Sequence, residues 1–431
     1  MKSLEIINCL FVTVRSKGWR WCRMLTTDNE EVLQELERER IDMAVVDGYF
    51  ITGCYYLVPH RLRIPWITFA FTVDPLLIRV PWLPSFVPIQ LLPISDRMSF
   101  AERFQNTISW IYLSFVLPKM FPDPKPEVIE KFRRYGHFSS IDELVSKSVL
   151  WLLALDAFVD YPRPTMPNMI YVGGLTIKRS RSTLPPDIEN FIDGAKEGVI
   201  LMTFGSYESV SSSVPAHMVE KFCSAFRRLD GYRVLWRLNN KDDAELPDNV
   251  MISQWLPQND ILAHPNVKLF ITHSGNNGQY EAVYNAIPMI GFHLIFDQFY
   301  NAKRLDHKGY GLSMDLHDFT ADQLLDNIRE ILGDKSYKER IVKASEIFRS
   351  QPQSPVERAT FWIEHVCRFG GDHLRSAGND LPLYSYLMLD ILAFLLIVFH
   401  ILVYLLYKLL KLIVNKCCER APSNNSSKKN N

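Results

Sequence analysis

From Leu387 to Tyr407 the chain is apolar almost without a break, interrupted only by Asp390 and His400. About 20 such residues suffice to cross a bilayer of about 30 Å, and in hydrocarbon a lone segment satisfies its backbone only as a helix. Lys408, Lys411, Lys416 and Arg420 follow at once, and a basic flank of this kind stays on the cytosolic side. The expectation is therefore a single-pass membrane protein, with its body facing the lumen, a spanning helix over 387–407 and a basic cytosolic tail over 408–431. A buried core helix is the alternative, but such helices seldom run this long beside an asparagine-rich and serine-rich terminus.

The last four residues, Lys428, Lys429, Asn430 and Asn431, resemble a dilysine retrieval signal of endoplasmic reticulum membrane proteins, and in this topology they face the cytosol. A lumenal body calls for a translocation signal. Ile6 to Val14 is apolar, but Asn8 interrupts it, Glu5 precedes it and no small-residue cleavage site follows, so it makes a poor one. The expectation is that the true beginning of the protein precedes Met1.

At 431 residues the chain exceeds one ordinary core and suits two domains plus an accessory segment. Formal charge balances at zero, which argues against a polyanion-binding surface and against nucleic acid as a partner. The seven cysteines, Cys9, Cys22, Cys54, Cys223, Cys367, Cys417 and Cys418, lack the short paired spacings of a zinc site or redox pair, so no metal is expected. Cys417 and Cys418 sit just past the apolar run, where reversible acylation occurs, although ordinary free thiols fit them equally well.

After Gly198 the pattern becomes regular. Val199 to Thr203 is a short apolar run closing at Phe204, Gly205 and Ser206; Met218 to Leu229 repeats apolar residues at helical spacing; Tyr232 to Leu238, Val250 to Trp255 and Val267 to Thr272 are further runs. The last opens into a glycine-containing turn and a helical pattern from Gln279. Strand, turn and helix at this pitch predict a parallel sheet covered on both faces, whose ligands bind outside the carboxyl ends of the strands. Upstream, Ile41 to Val46, Ile64 to Ala70, Trp151 to Phe158 and Met169 to Val172 read as strands, and Pro81 to Pro93 reads as irregular. Thr176 to Pro186 is the best interdomain linker. The predicted division is 1–180, 181–370, a stem over 371–386, the span and the tail.

The informative block begins WLPQNDILAHP at Trp255, passes through FITHSGNNGQYEAVYNAIPMIG and ends FDQFYNA at Ala302. It closely resembles the signature of UDP-glycosyltransferases, and the likeness to membrane-bound UDP-glucuronosyltransferases continues through HLRSAGNDLPLYSYLMLD into the apolar run. It is weak in the first third and strong after Gly198. The resemblance implies a GT-B-like α/β architecture: two Rossmann-type domains facing a cleft, the first incomplete here, with Ser354 to Phe369 returning as a helix toward the first domain. It also implies transfer, with inversion, of a hexose or hexuronic acid from a UDP-sugar to hydroxyl groups of small lipophilic acceptors. UDP-glucuronate or UDP-glucose would then be a co-substrate, with no cofactor, and the membrane and self-association or association with relatives complete the expected partners.

A UDP-sugar presents a flat uracil, a ribose diol, a doubly charged pyrophosphate and a polyhydroxy ring, and each finds a matching residue here. Trp255 offers a face to the uracil and Gln258 an amide to the nucleoside. His273 and Asn277, with the turn through Gly278 and the helix N-terminus behind it, suit the pyrophosphate. Glu281 can accept from both ribose hydroxyls. Asp297 and Gln298 match the sugar contacts, Gly205 and Ser206 approach the phosphates through backbone, and Arg237 matches a donor-site arginine. Ser274 stands where animal members commonly have glycine.

The family's base is a histidine oriented by an aspartate. Asp47 matches the aspartate, while the matching histidine would precede Met1, because no histidine occurs before His60. A second reading follows: a truncated form that binds UDP-sugar, or pairs with full-length relatives, without turnover.

Overall fold

The computed structural model describes residues 22, 24, 28–48, 53–72, 74–116, 126–178, 182–205, 216–238 and 245–419. They form two units, Met1–Arg375 and Ser376–Asn431. The first contains two fully parallel sheets.

The smaller sheet takes β1 (Ala44–Asp47), β2 (Trp66–Ala70), β3 (Leu150–Leu153) and β4 (Met169–Tyr171) in sequential order. Its strands β2 and β3 are buried on both faces, as helix-covered parallel strands must be. One face packs on Leu33, Tyr56, Phe132 and Leu144, and the other receives Ala359 and Val366 of helix Pro355–Phe369. That helix is the expected return from the second domain. It begins with a capping box, Ser354 accepting from the Glu357 amide and Glu357 from that of Ser354, two otherwise orphaned donors satisfied at once.

The larger sheet comprises β5 (Gly198–Thr203), β6 (Tyr232–Arg237), β7 (Val250–Ser253), β8 (Val267–Thr272), β9 (Met289–His293) and β10 (Gly311–Asp315), in the order β10-β9-β8-β5-β6-β7. All six residues of β5 are buried. Ile200 and Met202 enter a core under helices Ala216–Phe226 and Ala321–Gly333, while Val199 and Leu201 enter the opposite core under Pro186–Asp193, Asn276–Tyr284 and Lys335–Arg349. The alternation of side chains along a strand thus supplies both cores from one segment.

Two expectations are corrected in detail. The strand expected over Trp151 to Phe158 stops at Leu153, because the Asp156 carboxylate accepts from the Phe158 and Val159 amides and turns the chain. The helix expected from Gln279 begins at Asn276. Cys22 and Cys54, for which sequence spacing offered no pairing, form a disulfide with Cα atoms 5.4 Å apart, whereas Cys223 and Cys367 are free. The expected signal segment Ile6 to Val14, Cys9, and the terminal lysines lie outside the described residues.

In the second unit, Leu389–Glu419 is one helix of 31 residues, with Leu389–Lys416 long and apolar enough to span a membrane at mean hydropathy 2.7. At about 1.5 Å per residue it exceeds the bilayer core. The polar groups within it are satisfied locally: the Asp390 carboxylate accepts from the Ser385 hydroxyl, and the His400 ring bonds to the Leu396 carbonyl at 2.7 Å.

Candidate functional site

The large sheet reverses direction at β5. The chain moves outward through β6 and β7, then returns to lay β8, β9 and β10 on the other side. Between the carboxyl ends of β5 and β8 the outgoing loops diverge, which opens the crevice where such sheets bind ligands. Because every strand is parallel, the residues after β9, β8, β5, β6 and β7 line one edge, a row about 19 Å long at about 4.8 Å per strand. In sheet order that row reads Asp297, His273, Gly205, Arg237 and Trp255.

The centre carries groups suited to an anion. His273 ends β8 with its ring against Gly205, where a Cβ would approach to 2.8 Å, and Gly205 itself has φ +80°. Both constraints require glycine there. Burial holds the His273 imidazole down to about 4, and its buried Nδ1 has no partner among the described residues. The ring is therefore neutral near pH 7 and carries one N–H, for which the Thr203 backbone and a phosphate would compete. Ser274 adopts φ 62°, a strained conformation for a residue with a Cβ. Its side chain fits because Gly291 leaves the space: a Cβ there would lie 2.3 Å from the Ser274 Oγ. Gly275 then caps helix Asn276–Tyr284, whose first turn has no side-chain cap. Its free N–H groups and dipole face the crevice, with Asn277 exposed and Gly278 packed on Phe270 and Gln258.

On the β7 side, Trp255 is 69% exposed with the Arg237 guanidinium 5.3 Å from its ring centroid. That exposed face is available for a planar ligand to stack on. Arg237 donates to the Gly205 and Gln254 carbonyls, so it braces the loops on either side of β6. Behind them, Glu281 is buried; one carboxylate oxygen accepts from Gln258 at 2.6 Å and the other from the Thr176 hydroxyl at 2.8 Å. Burial raises its carboxyl above the usual range. Gln258 and Glu281 were singled out separately; the structure joins them, and Thr176 is a partner that no local pattern marked.

On the β9 side, the Gln298 side-chain oxygen accepts from the Leu294 and Ile295 amides at 2.9 and 3.1 Å, which shapes the loop and leaves its NH2 group. Asp297 accepts from Asn301 at 2.7 Å, and burial raises its carboxyl. Ser206 lies outside the described residues. Asp47 belongs to the other sheet, exposed at the end of β1. His60, the histidine nearest to it in sequence, donates to the Gly136 carbonyl at 3.1 Å and packs edge-on against Phe138.

Comparison with known proteins gives a consistent picture. The family model described as UDP-glucoronosyl and UDP-glucosyl transferase matches residues 9–423. Human UDP-glucuronosyltransferase 2B17 is 34% identical over 401 residues, covering 90% of this chain and 72% of the relative. UDP-glucuronosyltransferase of Pleuronectes platessa is 31% identical over 425 residues, 97% of this chain and 88% of the relative. Among solved structures, spinosyn forosaminyltransferase SpnP superposes with a TM-score of 0.57 at 15% identity, covering 80% of this chain and 83% of that one, a likeness of fold.

Proposed function

The chain belongs to the UDP-glucuronosyl and UDP-glucosyl transferase family, and from that premise we propose which of its residues hold which part of the donor. Its two parallel-sheet domains have the GT-B architecture, and the protein is a glycosyltransferase of the UDP-glucuronosyltransferase type. In the proposed arrangement the uracil stacks on Trp255, the ribose diol donates to Glu281 between Gln258 and Thr176, and the diphosphate sits before helix Asn276–Tyr284 against His273. The sugar reaches Asp297 and the Gln298 amide.

The observation that carries this reading is the convergence at the β5/β8 switch of a neutral, partly orphaned imidazole with an uncapped helix N-terminus. Transfer breaks the bond between the anomeric carbon and the diphosphate oxygen as an acceptor oxygen attacks the opposite face. Negative charge then grows on UDP, where in this arrangement the helix N–H groups and His273 would bind the transition state more strongly than the ground state. The acceptor proton passes to a base. Asp47 is proposed as the orienter of that base, and small lipophilic hydroxyl compounds as the acceptors.

The body is proposed to face the lumen of the endoplasmic reticulum. The Cys22–Cys54 disulfide suits an oxidising compartment, and the basic residues after the span suit a cytosolic tail. Full-length protein in phospholipid nanodiscs, mixed with UDP-glucuronate or UDP-glucose and a phenolic acceptor, should release UDP in proportion to conjugate formed. No release above background with either donor defeats the assignment of turnover to this chain.

A further inference from the structure

Beneath the diphosphate loop lies a buried polar network that the donor contacts do not use. Arg304, on helix Gln298–Lys308, is 1% exposed. Its Nη1 donates to the Asp160 carboxylate at 3.1 Å, and its Nη2 donates to the Asn276 side-chain oxygen at 3.1 Å and the Gln279 side-chain oxygen at 2.8 Å. Asn276 in turn donates to the Ala154 carbonyl at 2.5 Å, and Gln279 donates to the Asn301 carbonyl at 3.0 Å. Asp160 also accepts from its neighbour's amide at Tyr161, from Arg163 and from the Tyr300 hydroxyl. Burial works against its charge, yet Arg163 and Arg304 hold the carboxyl below its ordinary range.

The sequence positions explain what this accomplishes. Ala154 and Asp160 belong to the loop that leaves β3 of the small sheet. Asn276 and Gln279 are the first turn of the helix that meets the diphosphate, and Arg304 lies on the helix that begins at Gln298. One planar guanidinium therefore spans both donor helices and the opposite domain. A forked, always charged donor is the side chain able to reach three acceptors in fixed geometry. Polar groups this deep are costly unless they are satisfied; both Nη groups of Arg304 are, while its Nε has no partner among the described residues.

We propose that Arg304, through Asn276 and Gln279 and anchored on Asp160, is a positioning residue for the donor diphosphate. It fixes the first turn of helix Asn276–Tyr284 so that the backbone N–H groups around Asn277 and Gly278 converge on the phosphates, and it makes that aim depend on the small domain. This rests on the donor assignment above. A displacement of about 1 Å at such a site is enough to cost on the order of 100-fold in rate.

The test uses full-length protein in nanodiscs and three variants. Arg304→Lys keeps a cation beside Asp160 but cannot reach Asn276 and Gln279 together. Asn276→Ala and Gln279→Met cut the same links and leave the Asp160 ion pair in place. Each should weaken UDP binding by calorimetry tenfold or more and raise the donor KM, while the acceptor KM stays within twofold, even where the loss of a buried hydrogen bond lowers melting. A merely structural role would lower melting and active fraction without separating the two KM values. Folded variants that bind UDP within twofold of the parent overturn the inference alone. A parent that binds no UDP overturns the donor assignment and this inference with it.

Discussion

Replacing Glu281 by Gln isolates the ribose contact. The Glu281 carboxylate is buried and already accepts from Gln258 and Thr176, one on each oxygen, so both oxygens are held in place with lone pairs left for a diol. Two hydroxyls donating to an ionised carboxylate form charge-assisted bonds of about 1.5–3 kcal/mol each. Glu281→Gln keeps the shape, but one position becomes an NH2 group, which can bond the Thr176 hydroxyl or the Gln258 amide oxygen yet cannot accept from a ribose hydroxyl. The expected loss is about 2–3 kcal/mol, a factor of roughly 30–150 in UDP affinity. Calorimetry with UDP and with 2′,3′-dideoxy-UDP closes a cycle: the parent should prefer UDP by at least a similar factor, and Glu281→Gln should show a much smaller preference. A parent that binds the two nucleotides alike, or a variant that retains the full preference, refutes the placement of ribose at Glu281.

Three further outcomes follow from the same site. Trp255→Ala should cost about 1–3 kcal/mol of UDP affinity, as removal of a base-stacking ring does, with melting almost unchanged because the ring is 69% exposed; affinity within twofold contradicts stacking there. Ser274→Gly relieves a φ of 62° and removes a buried hydroxyl without a partner among the described residues, so it should stabilise the fold by about 1 kcal/mol, read as a higher midpoint in urea. His273 is held at about 4 in the fold and near 6.5 when unfolded. The unfolded chain thus binds the extra proton between those values, and stability falls by roughly 3 kcal/mol as pH drops from 6.5 to 4. His273→Asn should flatten that slope, and an unchanged slope rejects His273 as its source.

The donor half was the readable half. Val199 to Thr203 and Val267 to Thr272 announce buried parallel strands because both faces of each are covered and every position but the exposed Lys268 is apolar or small. The turn after β8 is equally plain, since its chemistry sits in consecutive residues. Strand β10 escaped notice: GLSMD is a half-polar edge strand, held partly by the Ser313 amide and hydroxyl donating to Asp306. Helix Phe100–Ile111 was hidden in another way. Its Ser99/Glu102 capping box is a local signal, but Phe100, Phe104 and Ile108 point outward, against the amphipathic rule that finds surface helices. What sequence reading could not reach were pairings across the chain. The Asp160–Arg304 contact joins residues 144 apart, Thr176–Glu281 residues 105 apart, and the Cys22–Cys54 link residues 32 apart. No periodicity encodes these; only the packing of two sheets brings them together.

Titration of UDP into well-folded, full-length protein with His273 intact and with His273→Ala tests the central claim most directly. The account predicts saturable one-to-one binding to the parent, weakened by at least tenfold in a variant that still melts cooperatively. Absence of heat and of competition by any UDP-sugar in the parent, or equal affinity in both proteins, contradicts a diphosphate seat at the end of β8.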